Sequence, residues 1–290
     1  MKLLTMIQDG NQKIGLKMNE GIFPIDAILG HQAPASIVDL MMDSSAMTKL
    51  RDALKTANPD PSTWIEESAI TYAPCVPSAG KVLCVGLNYR KHALETNAPI
   101  PKKPILFSKF SDTVAAHLED IPLPKETAQL DYEAELAIVI GKTANHVSED
   151  KALDYVFGYC AANDLSARDL QLRTSQWLLG KTLPKFAPIG PWLVTADEIP
   201  EPNNLTMTTR VNGELKQNSN TADMIFSCRQ IISYISHYIP LNPGDIIMTG
   251  TPEGVILGMP ADKQVWLQPG DVMEIEIEHL GVLKNKIVAV

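Results

Sequence analysis

The pattern of apolar and polar positions changes at about residue 72. Ahead of it, strand-like apolar segments at residues 2–8, 12–18 and 21–29 lead into a polar stretch with helical spacing at residues 44–57. Four prolines then interrupt the chain, as is typical of a connection: Pro59, Pro61, Pro74 and Pro77. This pattern predicts a small N-terminal α+β domain and linker over residues 1–72, followed by a larger domain over residues 73–290.

Beyond residue 80 the chain is rich in short β-branched segments bounded by Gly, Pro or Asn, which is typical of strands. Candidate strands begin at residues 81, 104, 134, 157, 190, 206, 245, 271 and 284. Asn212-Gly213 predicts a type I′ hairpin. Helices are predicted over residues 148–156, 170–181 and 221–239. Because strands and helices do not alternate regularly, we expect a strand-rich α+β fold, a mixed β-roll with peripheral helices, and not a doubly wound sheet.

The composition is that of an ordinary globular protein, with 45% hydrophobic and 20% charged residues among 290. The net charge of −9 disfavours nucleic acid and anionic lipid as partners. No apolar run approaches the roughly 18 residues of a membrane span, and Asp9 and Lys13 interrupt the N-terminus before a signal-like core develops. The four cysteines form no CxxC pair, so we expect reduced thiols. The sequence therefore predicts a cytoplasmic protein with no membrane or nucleic-acid partner.

Two acidic residues stand at the start of an otherwise apolar strand, in the run DYEAELAIVIG. Residues two apart in a strand point to the same face, so Glu133 and Glu135 project side by side. Burying two like charges is costly unless a cation neutralises them, and hard cations prefer oxygen ligands. The pair indicates a metal site, although two solvated acids on an edge strand are the commoner arrangement when the pair is considered alone.

Three more residues add candidate chemistry. Asp164 follows the apolar strand GYCAAN, where it is either a third metal ligand or a helix N-cap. His92 and Glu95 are three residues apart in a predicted short helix and so share one face. A carboxylate beside an imidazole fixes its tautomer and raises its basicity, which gives a general base. The alternative is an ordinary pair on a helix surface.

Two positions suggest contacts to an anion. Lys181 ends a stretch rich in Leu and Trp, where it would bind a substrate carboxylate or stabilise an enolate. The alternative is a lysine favoured by the C-terminus of a helix. Thr251 lies in a Gly-Thr-Pro turn after the strand DIIMTG, and its hydroxyl and the neighbouring N–H groups would bind an anion. The alternative is a tight turn without a ligand.

Six segments of the chain occur together in the order seen in one protein family: GLNYRKHALE, DYEAELAIVIGK, YCAANDLSARDLQ, GKTLPKFAPIGPW, VNGELKQ and GDIIMTGTPEGV. They resemble the fumarylacetoacetate hydrolase family, over roughly residues 78–290. The resemblance implies a catalytic domain over residues 73–290 with the mixed β-roll of that family's C-terminal type, and a homodimer. It also implies Mg²⁺ or Mn²⁺ bound by Glu133, Glu135 and Asp164, with Ca²⁺ as a non-native occupant.

The same resemblance implies roles for other residues. His92 and Glu95 correspond to the family's water-activating histidine and glutamate, and Lys181 to a catalytic lysine. The residues assigned to substrate binding are Gln171, Arg168 and Thr251. The expected substrate is a small anionic 2-oxo acid.

The expected activity is metal-dependent hydrolysis of a C–C bond in a β-diketo acid such as an acylpyruvate or fumarylpyruvate, as in aromatic catabolism. Decarboxylation of oxaloacetate-like acids and isomerisation of unsaturated 2-oxo-dioates are alternatives on the same site. Binding of a metal or ligand without catalysis is a further alternative.

One position departs from the family pattern. Many relatives have a threonine four residues after the catalytic lysine, and this chain has Lys185 there, in GKTLPKFAPIGP. An extra cation near the metal would favour a substrate with two carboxylates, whereas a side chain that points outward would have no such effect.

Overall fold

The computed structural model describes residues 1–19, 21–56 and 63–290. Pro59 and Pro61 of the predicted linker lie outside the described residues. The strands are β1 (Lys2–Gln8), β2 (Asn11–Met18), β3 (Gly21–Pro24), β4 (Thr71–Ala73), β5 (Val82–Gly86), β6 (Ile105–Lys109), β7 (Val114–Ala115), β8 (Asp120–Leu123), β9 (Leu130–Asp131), β10 (Ala134–Ile140), β11 (Val156–Asn163), β12 (Ser166–Ala167), β13 (Ala187–Thr195), β14 (Thr206–Val211), β15 (Glu214–Asn220), β16 (Ile246–Met248), β17 (Val272–Ile277) and β18 (Gly281–Ala289).

The α-helices of the described ranges are α1 (Asp26–Leu29), α2 (Ile37–Met42), α3 (Ser44–Thr56), α4 (Arg90–Glu95), α5 (Arg168–Gln171), α6 (Leu178–Lys181) and α7 (Cys228–Ser236). Short 3₁₀ turns lie at Gly30–Gln32, Glu67–Ala69, Ser111–Thr113, Glu149–Tyr155, Ala196–Glu198, Thr221–Asp223, Ile256–Gly258 and Ala261–Lys263.

A large mixed sheet organises the described chain. Its strands follow the order β3-β2-β1-β13-β11-β10-β16-β5-β6, with β4 beside β1 and β7 beside β13. Most neighbours are antiparallel, and β5–β16 and β7–β13 are parallel pairs. A second sheet has the order β15-β14-β17-β18-β8, and β9 pairs with β12. The prediction of a strand-rich α+β fold is therefore confirmed, and so is the absence of a doubly wound sheet from the described residues.

Strand β10 lies at the centre of the large sheet and is buried along its whole length. Its residues alternate between two hydrophobic cores, because successive side chains of a strand point to opposite faces. Leu136 and Ile138 pack in one core, and Ala137 and Val139 pack in the other. This double burial explains why the segment AELAIVI is apolar at consecutive positions.

The N-terminal strands continue the same sheet. Strand β1 pairs with β13, with Lys2 opposite Val194 and Leu3 opposite Leu193. Leu3 and Leu4 belong to different hydrophobic cores, each shared with residues of the C-terminal part. The division of the chain at residue 72 stays a prediction.

The helix predicted over residues 221–239 is shorter than expected. Helix α7 begins only after Ser227, whose hydroxyl caps it together with the Gln230 side chain in a capping box. The preceding Ile225 and Phe226 bond to Asn88 through their backbone N–H groups, at 2.7 and 2.8 Å. A contact to a residue far away in sequence therefore prevents these residues from joining the helix.

Two other predicted helices were wrong in form. Residues Glu149–Tyr155 form a 3₁₀ helix, and the segment 170–181 is divided between α5 and α6. The break contains Thr174, whose hydroxyl bonds the Gln176 backbone and so competes with helical hydrogen bonding. Helix α6 folds back so closely on α5 that a Cβ at Gly180 would lie only 2.4 Å from the Gln171 nitrogen.

Other local predictions are confirmed. Asn212 and Gly213 both have positive φ, 52° and 81°, as a type I′ hairpin requires. The cysteines are all buried and free: Cys75, Cys84, Cys160 and Cys228. Among the described residues, no helix is long and apolar enough to cross a membrane.

Candidate active site

Three carboxylates meet where two central strands adjoin. Strand β10 begins and antiparallel β11 ends at the same edge, with Ala134 opposite Asn163. Glu133, Glu135 and Asp164 therefore come together, and one oxygen of each lies within 4.8 Å of the others. All three are buried, and Asp164 leads into β12 instead of capping a helix. They are neither the solvated acids of an edge strand nor a helix cap.

Three buried cations surround these carboxylates. The Lys181 Nζ lies 2.9 Å from Oε2 of Glu133 and 2.8 Å from Oδ2 of Asp164. The Arg168 Nη1 lies 2.7 Å from Oε1 of Glu133, and the Lys109 Nζ lies 2.7 Å from Oδ1 of Asp164. Both oxygens of Glu133 and of Asp164 are therefore held in defined directions.

Glu135 is the carboxylate with least compensation. Burial by itself raises the pKa of Glu133, but the nearby Lys181 and Arg168 outweigh it and hold that pKa at about 2. For Glu135, burial and then the negative charges of Asp164 and Glu133 raise the pKa well above its usual range. Its Oε2 accepts a 2.7 Å hydrogen bond from the Gly250 N–H. An additional cation beside Glu135 would relieve this crowding of acids.

The donor set fits a hard divalent cation. It consists of carboxylate oxygens, which Mg²⁺ and Mn²⁺ prefer, and it contains neither sulfur nor imidazole among the clustered groups. The residues that would hold the cation are the predicted ones: Glu133, Glu135 and Asp164.

His92 and Glu95 form a hydrogen-bonded pair on α4. The His92 Nδ1 lies 2.8 Å from Oε1 of Glu95, and Oε2 of Glu95 accepts from the Gly254 N–H at 2.9 Å. Because Glu95 occupies Nδ1, the other ring nitrogen, Nε2, is left to exchange a proton. A Cβ at Gly258 would lie 2.5 Å from Cδ of Glu95, so a glycine is needed to leave room for this carboxylate.

The carboxylate cluster and the His92–Glu95 pair face one cavity of about 630 Å³. The predicted site residues that line it are His92, Glu95, Glu133, Glu135, Arg168, Gln171, Lys181 and Thr251. Asp164 is fully buried and contributes through its contacts to the lining residues. The apolar part of the wall comprises Val85, Leu87, Ala98, Phe107, Leu172, Trp177, Leu257, Met259 and Pro260.

Arg168 was predicted to bind substrate, and its guanidinium is already engaged by protein groups. Its Nε and Nη2 each lie 2.9 Å from Oδ2 of Asp131, and Nη1 reaches Glu133 and, at 2.9 Å, Oε1 of Gln171. Since Arg168 occupies the Gln171 oxygen, the amide nitrogen of Gln171 remains as a donor. The Thr251 hydroxyl accepts from Gln217 at 3.0 Å and keeps its own hydrogen to donate.

Backbone N–H groups near residue 250 serve the protein's own carboxylates. The turn was predicted to offer its N–H groups to a bound anion, but the Gly250 N–H donates to Glu135 and the Gly254 N–H to Glu95, so these two groups are not available to a ligand. The turn thereby connects a candidate metal ligand with the His92–Glu95 pair.

Asp131, Lys109 and Gln217 were missed in the sequence. Each is buried and polar, and each contacts a predicted site residue. The available signals were a single charge among apolar residues, LFSKF, for Lys109, and a place two residues before Glu133 for Asp131. Neither signal identifies the partner, which lies far away in sequence for all three residues.

Lys185 points away from the cavity. Its Nζ lies 3.0 Å from Oε1 of Glu119 and donates to the Asp120 carbonyl at 3.3 Å. It is not among the described residues that line the cavity. Of the two alternatives for this position, the outward orientation is the one observed.

Comparisons with known proteins show the family to which the chain belongs. A family model described as fumarylacetoacetate (FAA) hydrolase C-terminal matches residues 81–288. The chain is 45% identical over 245 residues to oxaloacetate tautomerase Fahd2a of Rattus norvegicus, which is named as a mitochondrial protein. That match covers 84% of this chain and 76% of the rat protein.

Solved structures share the whole fold. A fumarylacetoacetate hydrolase from Exiguobacterium antarcticum is 33% identical, with a TM-score of 0.81 and coverage of 100% of both chains. Maleylpyruvate hydrolase from Sphingobium sp. SYK-6, in complex with manganese(II) ion and pyruvate, is 28% identical with a TM-score of 0.81. That match covers 100% of this chain and 99% of the hydrolase. The mixed roll predicted from the family resemblance is confirmed, and the chain belongs to the fumarylacetoacetate hydrolase family as one of its enzymes.

Proposed function

We propose that the protein is a divalent-metal-dependent enzyme that interconverts the keto and enol forms of a short 2-oxo dicarboxylic acid such as oxaloacetate. The observation that carries the proposal is the presence of the His92–Glu95 pair and the three-carboxylate cluster in one cavity. The similarity to the rat oxaloacetate tautomerase favours this reaction among those that such a site supports.

A divalent cation would make the charges of the site compatible with an anionic substrate. The ionic groups of the site, within the described residues, are five carboxylates and three cations: Glu95, Asp131, Glu133, Glu135, Asp164, Lys109, Arg168 and Lys181. When all are ionised they leave two negative charges, which a divalent cation balances. A bound Mg²⁺ or Mn²⁺ would supply Lewis-acid polarisation of the 2-oxo group.

The residues of the chain would move and hold the proton. In the keto-to-enol direction, Nε2 of His92 accepts a proton from C3 of the acid, the electron pair of that C–H bond forms the C2–C3 double bond, and the π pair of the C2=O bond moves to its oxygen. The proton then goes to the C2 oxygen. Glu95 keeps the imidazole oriented and stabilises its charged form. Lys181 has two of its three hydrogens on Glu133 and Asp164, so the third is available for an oxygen that gains charge.

The test is an oxaloacetate tautomerase assay that follows loss of the enol absorbance in the ultraviolet. We expect activity with Mg²⁺ or Mn²⁺ and its loss after chelation. His92→Ala should abolish turnover while Mn²⁺ still binds, and His146→Ala, at an exposed histidine outside the cavity, is the matched control. Full activity in His92→Ala, or no tautomerisation by metal-loaded wild type, would overturn the proposal.

Hydrolysis of a C–C bond in an acylpyruvate is a second candidate. It is supported by the similarity to maleylpyruvate hydrolase and by the cavity of about 630 Å³, which is large for a four-carbon acid. His92 would here deprotonate water instead of substrate. Pyruvate release from acylpyruvates, measured with a coupled dehydrogenase, distinguishes hydrolysis from tautomerisation, and pyruvate release from oxaloacetate reports decarboxylation.

The assembly and the location are also proposals. We propose a homodimer, which light scattering of the purified protein would show as twice the chain mass of 31.8 kDa. A cytoplasmic location stays a prediction, and the rat relative is named as mitochondrial. Imaging of the tagged full-length protein in its source cells would decide between the two compartments.

A further inference from the structure

Lys109 is a buried lysine that the proposed reaction does not use. It ends strand β6 at the edge of the large sheet, and its side chain is fully buried. Alternation along the strand puts Phe107 and Lys109 on one face, and Phe107 lines the cavity. A fully buried charged amine is rare unless it is paired. The contacts of Lys109 therefore show which groups it stabilises.

The Lys109 ammonium joins three separate segments of the chain. It donates to the carbonyls of Leu165, at 3.1 Å, and Phe186, at 2.8 Å, and to the carbonyl of Lys181. It also lies 2.7 Å from Oδ1 of Asp164. Leu165 directly follows Asp164, and Lys181 ends α6. One amine therefore fixes both the backbone and the side chain around a candidate metal ligand.

The two oxygens of Asp164 have different partners as a result. Oδ1 lies against the Lys109 ammonium without a hydrogen bond, because the three hydrogens of that ammonium have carbonyl acceptors. Oδ2 accepts a hydrogen bond from the Lys181 ammonium, which lines the cavity and also bonds Glu133. Since Lys109 covers Oδ1 from outside the cavity, Oδ2 is the oxygen that a cation in the cavity would reach. Partners of this kind, which orient a metal ligand, typically change metal affinity by 10- to 100-fold when they are removed.

We infer that Lys109 is a positioning residue that presents Asp164 to the divalent cation through a single oxygen and fixes the backbone that carries Lys181. The inference rests on the proposed metal site. It assigns Lys109 no contact with substrate and no part in proton transfer.

The experiment is a Mn²⁺ titration by calorimetry, and by the electron paramagnetic resonance signal of free Mn²⁺, on wild type and Lys109→Met. We expect the variant to bind Mn²⁺ at least about tenfold more weakly. The matched control is Lys81→Met, which also removes the partner of a buried aspartate, Asp245, at 2.6 Å, but outside the cavity. That control should bind Mn²⁺ as wild type does. Circular dichroism in the near ultraviolet verifies that each variant is folded.

Two further measurements keep the test decisive if Lys109→Met does not fold. Lys109→Arg keeps the charge and the donors, but its planar fork places them differently, so it should also weaken Mn²⁺ binding. A crystal structure of wild type with Mn²⁺ should show Asp164 bound through one oxygen and the other still on Lys109. Wild-type affinity in a folded Lys109 variant, or bidentate Asp164, would overturn this inference alone, whereas absence of Mn²⁺ binding by wild type would overturn the proposed function with it.

Discussion

Asp131 binds Arg168 through one carboxylate oxygen, with Nε and Nη2 of the guanidinium each 2.9 Å from Oδ2. The same carboxylate accepts the N–H groups of Ile256 and Leu257, at 2.9 and 3.0 Å. Arg168 in turn holds Glu133. Asp131 therefore connects a candidate metal ligand with the cavity wall around Leu257, although it does not itself line the cavity.

We expect Asp131→Ala to lower the free energy of unfolding by about 3–5 kcal/mol, because it leaves the buried Arg168 without its main partner. Urea unfolding of the metal-free protein measures this. The control is Asp197→Ala, which removes a two-point ion pair with Arg51 that is 41% and 49% exposed and should cost less than about 1 kcal/mol. If the two variants lost similar amounts of unfolding free energy, Asp131 would stabilise the fold no more than an exposed ion pair does.

Glu135→Gln should have opposite effects on the metal-free and metal-loaded protein. Removing a crowded negative charge should maintain or raise the Tm of the chelated protein, because burial and two neighbouring acids disfavour that charge. The same change should abolish the rise in Tm that Mn²⁺ gives wild type, since a ligand is lost. Differential scanning fluorimetry with and without Mn²⁺ measures both effects, and an undiminished Mn²⁺ shift in the variant would contradict the ligand assignment.

Gly258→Ala tests the placement of Glu95. The added methyl group would lie 2.5 Å from Cδ of Glu95 and would push that carboxylate away from His92. We expect kcat to fall about 10- to 100-fold, because displacement of a catalytic group by about 1 Å has such effects. Mn²⁺ affinity should stay unchanged, since Glu95 is not in the carboxylate cluster. Equal kcat values for variant and wild type would show that Glu95 adjusts without loss.

His117 should make the stability depend on pH. Burial lowers the pKa of His117 to about 4, against about 6.5 in an unfolded chain. Between these values the unfolded chain binds the additional proton, so stability is complete above pH about 6.5 and falls as the pH drops toward 4. After allowance for solvent screening, the loss is about 1–2 kcal/mol.

The His117→Gln variant isolates this contribution, because glutamine still offers an acceptor to the Lys284 N–H, which lies 3.1 Å from Nδ1 of His117. When the pH is lowered from about 7 to about 5, we expect the urea midpoint of wild type to fall more than that of the variant. A difference that is the same at both pH values would exclude His117 as the titrating group.

Lys185→Ala should leave substrate preference unchanged, because the ammonium binds Glu119 outside the cavity. The measurement is the ratio of kcat/KM values for a dicarboxylic and a monocarboxylic 2-oxo acid. A change in this ratio beyond about threefold, a difference of roughly 0.7 kcal/mol in transition-state binding, would mean that Lys185 acts on the substrate after all.

Much of the site was visible in the sequence because it depends on short-range geometry. The two-residue spacing of Glu133 and Glu135, and the three-residue spacing of His92 and Glu95, each determine a shared face without knowledge of the rest of the fold. Asn212-Gly213 likewise determines its own turn. The candidate strands were also recognisable, because their apolar, β-branched composition and the Gly, Pro or Asn at their ends are local features.

What the sequence did not reveal depends on partners distant along the chain. Lys109 and Asp164 are 55 positions apart in sequence, and the apolar neighbours of Lys109 indicate burial without identifying its partner. The pairing of β1 with β13 is also long-range. The break between α5 and α6 follows from a side-chain bond of Thr174 that helical spacing does not show.

The burial of β10 in both hydrophobic cores has a consequence for how the protein loses its structure. Leu136 and Val139 belong to different cores on the same strand, so melting of either core would release the strand that carries Glu135. An intermediate with one core intact would have no cation site. A bound cation should therefore stabilise both cores together, so that it raises the temperature at which either of them unfolds.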